Sequence, residues 1–326
     1  MMTFEEFVER VKEELIYLMP DSYIVDGEVD VVDVLKTNDT HLSGLIVKSS
    51  AVNISPTVYL EPFYEEYTHA SSFSNILVKI SDIIQQNMPT ENMDVQKFLK
   101  WDDVKNMVIS RMCSIERNKE FLSDKPYTKM EDMAVTYCLL ISDRSESGQA
   151  TVAITNEMMK EYGIGLNILH ERAMINNEVL QPVNIMSLSD VMLKMMGTFD
   201  DPADMDNPGG MLILSNVNGL YGSVNILNPD IMDRIAERIG QEFYILPSSV
   251  HEVLIYPKDE FIDYQELEEM VNEVNETQVA PEEVLSNHVY EVDFKRHELI
   301  RADREKVIEK KIEKAAKKIE PKKPRL

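Results

Sequence analysis

Two segments of the sequence predict the same local order, two strands followed by a helix. In the first, residues 133–142 and 149–155 are apolar runs of strand length joined by the polar residues 143–148, and a helix is predicted to begin at Asn156. In the second, residues 211–217 and 220–227 flank Asn218-Gly219, a dipeptide typical of tight hairpin turns. A helix is then predicted with Asn228 as its N-cap, Pro229 at its first position and Gly240 at its end.

These two segments also share a short pattern, V-x-I-x-N, at residues 152–156 and 224–228. The pattern suggests a hairpin–helix unit used twice, or three times if residues 42–86 are counted, although so short a match also arises by chance. Repeated strand–strand–helix order favours an α+β fold, in which helices pack on a largely antiparallel sheet.

Other elements follow from local patterns. Strands are predicted at residues 29–35, 42–48 and 51–60, and the last two are expected to form a hairpin. Two further strands, at residues 242–246 and 251–256, are predicted to be central strands of a sheet. Helices are predicted at residues 74–86, 187–196 and 264–274, and a longer helical region at residues 95–118.

Charge divides the chain into two parts of opposite sign. Residues 300–326 carry 11 Lys and Arg against 5 Asp and Glu, a net charge of +6, whereas residues 1–299 carry a net charge of −31. We therefore predict an N-terminal α/β region at residues 1–125, a first hairpin–helix unit at 126–205, a second unit with the central strands at 206–299, and a basic helical tail at 300–326.

The acidic body argues against a nucleic-acid-binding surface, because affinity for phosphates comes from clustered Lys and Arg. Only the tail could bind nucleic acid. Three interpretations of the tail stay open: a charged solubilising helix, which its interspersed acids favour, an arm that binds a partner or nucleic acid, and a segment that folds back on the acidic body.

The sequence favours a soluble, cytoplasmic protein. Cys113 and Cys138 lie in apolar segments and lack the spacing of metal or redox motifs, which suggests a reducing compartment. The N-terminus predicts a helix with a capping box between Thr3 and Glu6 rather than a signal peptide. No apolar run approaches the ~18 residues of a membrane span, so no membrane partner is expected.

Three stretches together resemble a known family. They are ISPTVYLEPFY at residues 54–64, QATVAITN at 149–156 and EFYILPSSVHEV at 242–253. They are similar to a bacterial family of uncharacterised proteins, domain of unknown function 5688, over roughly residues 1–295. The resemblance implies one full-length unit without the basic tail. It implies no activity and no catalytic residues, and Gly222-Ser223 is a minor departure from it.

The best candidates for catalytic residues are Ser248, Ser249, His251 and Glu252. A serine hydroxyl near a histidine and a carboxylate is the combination of groups that catalyses acyl transfer. The sequence lacks the G-x-S-x-G motif that exposes such a serine. In the alternative interpretation, Pro247 and the two serines form a turn and His251 begins a strand.

Cofactor and metal motifs are incomplete. The pairs His170-Glu171 and His251-Glu252 begin like H-E-x-x-H, but Met174 and Ile255 occupy the fifth positions. The acidic stretch 204–209 imitates the start of a calcium loop, yet Pro208 stands at a ligand position. No glycine-rich stretch continues into a phosphate-binding motif. The sequence therefore predicts neither a cofactor nor a metal.

These observations favour a non-enzymatic binding or regulatory protein whose partner is a protein. The alternative is a hydrolase-like enzyme that uses Ser248 or Ser249 as nucleophile, His251 as base and Glu252 to orient it.

Overall fold

The computed structural model describes residues 1–24, 27–49, 52–69, 71–89, 92, 94–144, 148–191, 210–247, 249–259 and 262–304. Within these ranges, the chain forms three β-sheets whose strand pairings are all antiparallel, and helices pack on them. The predicted α+β class is therefore confirmed. None of the helices within the described ranges combines the length and the apolar content needed to cross a membrane.

The N-terminal part forms a three-stranded sheet with its own core. Its elements are α1 (Phe4–Leu15), α2 (Asp21–Ile24), β1 (Glu28–Leu35), β2 (His41–Lys48), β3 (Val58–Tyr59), α3 (Glu61–Thr68) and α4 (Phe73–Asn87). The predicted capping box is confirmed, because Thr3 Oγ1 accepts from the Glu6 N–H and the Glu6 carboxylate accepts from the Thr3 N–H. The inner faces of α1 and α4 pack on the sheet around Phe7, Leu45 and Ile80.

The second sheet is built around one long strand. Its elements are α5 (Trp101–Val104), β4 (Val108–Ser114), β5 (Tyr127–Met130), β6 (Met133–Arg144) and β7 (Gly148–Ala153). Strand β6 pairs with β4, β5 and β7. The helix predicted across residues 95–118 is wrong beyond α5, because pairing with β6 converts the apolar segment after residue 107 into the buried strand β4.

The first predicted unit has the expected order. After the β6–β7 hairpin come α6 (Asn156–Tyr162), α7 (Leu166–Leu180) and β8 (Val183–Ser187). As predicted, α6 begins at Asn156, and Thr155 caps it, since the Thr155 hydroxyl accepts from the Met158 N–H.

The second predicted hairpin is wrong. Strand β9 (Leu212–Asn216) is followed by a 3-10 segment, Gly222–Leu227, instead of a second strand. Both edges of β9 are already occupied, one by β8 and the other by β11, so no edge remains for a hairpin partner. Only the first of the two units is therefore a hairpin followed by a helix. The predicted caps of the next helix, α8 (Pro229–Ile239), are confirmed at Asn228 and Gly240.

The third sheet has six strands in the order β13-β12-β10-β11-β9-β8. It adds β10 (Phe243–Leu246), β11 (Val253–Pro257), α9 (Tyr264–Thr277), β12 (Tyr290–Asp293) and β13 (Glu298–Arg301). Strands β10 and β11 are central, as predicted. One continuous core reaches from Val104 to Leu299 and joins this sheet to β4 and β6.

Three predictions concern residues beyond the described ranges. Ser187 begins a helical turn, because its hydroxyl accepts from the Asp190 N–H. Three predicted segments lie outside the described residues: the rest of the helix predicted to residue 196, the acidic stretch 204–209, and residues 305–326 of the tail. Ile300 and Arg301 belong to β13, not to the helix predicted to start at residue 300. The domain divisions stay predictions.

Candidate binding surface

The predicted serine–histidine cluster lies in the connection between β10 and β11. The Ser249 hydroxyl accepts a hydrogen bond of 3.0 Å from the His251 backbone N–H, and the Ser249 N–H donates to the Glu252 carbonyl at 3.2 Å. Ser248 lies outside the described residues. These bonds close a turn, which is the alternative that the sequence left open for Ser249.

Both ring nitrogens of His251 have partners other than Ser249. Nδ1 lies 3.0 Å from the Tyr221 backbone nitrogen, and Nε2 lies 3.1 Å from a Glu283 carboxylate oxygen. A backbone N–H can only donate, so Nδ1 is the acceptor and the proton resides on Nε2, facing Glu283. The ring therefore joins three loops, and neither nitrogen is left to accept a proton from Ser249.

A strained residue lies directly beside this histidine. Tyr221 has a φ of 56°, in the left-handed region that favours glycine. The guanidinium carbon of Arg111 lies 3.7 Å from the centroid of its ring, and the same guanidinium donates to Gln149 Oε1 at 3.2 Å. The stacked cation and the Tyr221 N–H bond to His251 hold this conformation, so His251 has a structural role in the turn after β9.

Glu268, His288 and Asp303 bring possible metal-ligand atoms within 4.8 Å of one another. However, Arg301 already donates to both Asp303 oxygens, at 2.8 and 2.7 Å, and its guanidinium lies 3.1 Å from His288 Nδ1. Burial is the largest single influence on Asp303 and opposes its ionisation, but the hydrogen bond and the charge of Arg301, with a smaller contribution from His288, together lower the pKa of that carboxyl. A metal ion would have to displace a cation that is well bound, so this cluster is better suited to an ion pair.

The inner face of α7 is unusually polar. Asn176 Nδ2 donates to the carbonyls of Lys105 and Val108 at 2.8 and 2.7 Å. Asn177 Oδ1 accepts from the Ser110 N–H at 3.1 Å, and its Nδ2 donates to the Ser110 hydroxyl at 2.7 Å. Both asparagines are buried. Their amides bind the Val108 carbonyl and the Ser110 N–H on the edge of β4 that β6 leaves unpaired, together with the Lys105 carbonyl just before β4, and so fix α7 alongside the sheet.

A histidine and an arginine add to this attachment. The Tyr137 hydroxyl lies 2.9 Å from His170 Nδ1, and burial lowers the pKa of His170 below its usual value of 6.5. The Arg172 Nε donates to the Lys105 carbonyl at 3.2 Å, and the same guanidinium also contacts Asn106. The polar groups of α7 are thus used mainly for internal attachment.

The outer face of α7 is apolar instead. Ile168, Ile175 and Val179 are 51%, 50% and 76% exposed. At about 100° per residue, these three side chains project within roughly 40° of one another along the helix. Arg172 falls between them, so the four positions follow a 4-3-4 spacing, which is the a/d spacing of helices that pack side by side. We name the four residues Ile168, Arg172, Ile175 and Val179 the α7 seam.

Acidic residues border the seam, and a cleft adjoins it. Glu171 and Glu178 are exposed seven residues apart, each next to a seam position. Glu178 also accepts a hydrogen bond of 2.9 Å from Asn228, the cap of α8. Between α7 and α8 lies a cleft of about 420 Å³, lined by Met174 and Glu178 on one side and Ile231 and Arg234 on the other. The exposed surface is thus an apolar stripe with an acidic border.

The sequence contains a signal for this surface, but the signal is ambiguous. The 4-3-4 spacing can be read directly from the sequence, but an aliphatic stripe usually marks the buried face of a helix. Only the sheet edge shows that Asn176 and Asn177 occupy the inner face and force the aliphatic residues outward.

Comparisons with known proteins match most of the chain to one family. A search of curated proteins and a search of solved structures each returned no match. The model of a family of unknown function, DUF5688, matches residues 4–293. This range confirms the resemblance inferred from residues 54–64, 149–156 and 242–253, and it leaves out the basic tail. The chain therefore belongs to the family of unknown function DUF5688.

Proposed function

We propose that this protein is a non-enzymatic binding protein and that the α7 seam is its docking surface for another protein. The observation that carries the proposal is the inverted polarity of α7, which buries two asparagines and exposes three β-branched aliphatic residues. Buried amides and exposed apolar stripes each oppose the usual distribution of side chains, and an exposed apolar stripe commonly marks an interaction site.

The seam specifies the chemistry of its partner. A 4-3-4 row of side chains packs best against a second helix with apolar residues at the same spacing. Glu171 and Glu178 border the row, so the partner helix should carry Lys or Arg next to its own apolar row. Each half-exposed seam aliphatic would contribute about 1 kcal/mol on burial, half of the value for a fully exposed side chain.

Two synthetic peptides test this assignment. One is an amphipathic helix with isoleucine at four positions spaced 4-3-4 and lysine beside the second and fourth, and the other has glutamate in place of those lysines. We expect fluorescence anisotropy to detect binding of the lysine peptide and at least tenfold weaker binding of the glutamate peptide, because like charges would face Glu171 and Glu178.

A matched pair of substitutions provides the control. Val179→Glu places a charge in the seam, whereas Val217→Glu makes the same change at a valine that is 59% exposed after β9. Val179→Glu should abolish binding of the lysine peptide and Val217→Glu should leave it unchanged. Equal affinities for the two variants, or for the two peptides, would refute the proposal.

The hydrolase alternative has less support, because the described contacts of His251 leave Ser249 without a base. Cytoplasmic localisation also stays a proposal, supported by the two buried free thiols of Cys113 and Cys138.

A further inference from the structure

The basic tail contains the same spacing as the α7 seam. Residues 305–326 lie outside the described residues, but their sequence places apolar side chains at a 4-3-4 spacing. These four residues are Ile308, Ile312, Ala315 and Ile319. Lys311 and Lys318 precede the second and fourth of them, just as Glu171 and Glu178 precede Arg172 and Val179.

We propose that the tail of one copy of this chain packs as an antiparallel helix on the α7 seam of a second copy. The inference rests on the proposed function and names its partner. Antiparallel packing brings a positions opposite d positions. The four resulting layers are Ile168 with Ile319, Arg172 with Ala315, Ile175 with Ile312, and Val179 with Ile308. The small Ala315 leaves room for the bulky Arg172 side chain.

Charge selects this orientation. In the antiparallel arrangement, Glu171 faces Lys318 and Glu178 faces Lys311, which makes two ion pairs along one border of the seam. A parallel arrangement would instead place Glu171 opposite Ala316, which offers no charge. The net charges of +6 for residues 300–326 and −31 for the remainder favour the same association.

The position of the chain end favours a second copy over the same copy. The described chain ends at Arg304, just after β13, whereas α7 leads into β8 at the opposite edge of the six-stranded sheet. Five strand spacings separate the two edges, about 24 Å. Only four residues connect Arg304 to Ile308, a reach of about 14 Å at most. Two copies can exchange their tails symmetrically, so that both seams are covered.

A charge swap in the full chain tests the pairing. The variants are Glu171→Lys with Glu178→Lys, Lys311→Glu with Lys318→Glu, and all four changes together. Sedimentation equilibrium should show a dimer for the wild type. The association constant of each double variant should be lower by roughly tenfold or more, and the combined variant should recover it. Glu269→Lys with Glu276→Lys, an exposed pair of the same spacing on α9, should leave association unchanged.

A monomeric wild type, or failure of the four changes to restore the dimer, would overturn the inference. A peptide titration separates it from the proposed function. The full chain carrying Ile312→Asp, which should free the seam, is titrated with the designed lysine peptide and with a peptide of residues 305–320. Binding of both supports the inference. Binding of the designed peptide alone overturns the tail as partner and keeps the docking surface, and binding of neither overturns both.

Discussion

Asn38 and Asn118 are joined by two reciprocal hydrogen bonds: the Asn38 N–H donates to Asn118 Oδ1 at 2.6 Å, and Asn118 Nδ2 donates to Asn38 Oδ1 at 2.7 Å. Asn38 lies in the turn between β1 and β2, where it and Asp39 both have positive φ angles, of 60° and 49°. Asn and Asp tolerate this conformation better than other non-glycine residues. The turn thereby attaches the N-terminal sheet to the loop after β4.

Asn118→Ala should weaken this attachment. Asn118 is fully buried and also donates to the Ser114 carbonyl at 2.7 Å, so the substitution leaves that buried carbonyl and two partly buried groups of Asn38 unpaired. We expect a loss of about 2–4 kcal/mol in the free energy of unfolding, measured by urea denaturation. Asn167→Ala, at an exposed site on α7, should change it by less than about 0.5 kcal/mol. Similar losses for both variants would contradict the assigned role.

The stability of the protein should depend on pH through His170. Burial lowers the pKa of His170 in the folded state, so above its unfolded value of 6.5 both states are neutral and the contribution is fully present. As the pH falls below 6.5, the unfolded state takes up the proton first, so the free energy of unfolding decreases. The decrease ends when the pH falls below the lowered pKa of the folded state, where both states are protonated.

Urea denaturation at pH 7.5 and pH 5.0 measures this effect. His170→Gln removes the titrating group, so the variant should lose less stability than the wild type between the two values. Comparing the two proteins removes the contribution of other groups, including His41, whose pKa is raised mainly by its hydrogen bond with Asp33. An equal loss in both proteins would show that His170 is not responsible.

Gly222→Ala should be severely destabilising. A Cβ at this position would lie 2.6 Å from the carbonyl carbon of Ser215 and closer still to the backbone nitrogen of Asn216. Backbone cannot move aside as a flexible side chain can, so we expect a cost of about 3 kcal/mol or more, or insoluble protein. Gly165→Ala, with nothing within 4 Å of the added carbon, should cost about 0.5 kcal/mol as an N-cap change. Thermal denaturation that ranks the two variants equally would contradict this packing.

The two cysteines should be unreactive in the folded protein. Burial raises the pKa of Cys113 to about 12 and also raises the pKa of Cys138, so neither forms a thiolate readily. Iodoacetamide at pH 8 should modify both thiols rapidly in urea and neither in buffer, as counted by mass spectrometry. Rapid labelling in buffer would show that β4 or β6 opens.

Ser249→Ala should affect the turn and not a catalytic activity. The substitution removes the acceptor for the His251 N–H and should cost about 1 kcal/mol in unfolding free energy. A screen of ester, amide and phosphate substrates should give equal rates for the wild type and the variant. Hydrolysis that both Ser249→Ala and His251→Ala abolish would support the hydrolase alternative instead.

Local signals predicted several elements well. Thr3, Asn228 and Gly240 lie at helix ends that side-chain or glycine chemistry determines within a few residues. The errors occur where the presence or absence of a neighbouring strand determines whether a segment becomes a strand. Residues 108–114 form a strand because β6 lies beside them, and residues 222–227 do not because both edges of β9 are occupied.

The candidate site was less predictable for a related reason. His251 was found as a residue of interest, but its ring partners, Tyr221 and Glu283, lie 30 and 32 residues away in the chain. Sequence spacing suggested that Ser249 would meet the imidazole, whereas the turn directs the serine hydroxyl to the backbone of His251.

The amino-acid sequence by itself determined the α+β class, the helix caps, the acidic body with its basic tail, and the family, because these depend on composition and on residues close together in the chain. Only the tertiary structure decided which face of α7 points inward. The unpaired edge of β4 requires hydrogen-bond donors and acceptors, so Asn176 and Asn177 turn toward it, and the helical period then leaves Ile168, Ile175 and Val179 in solvent.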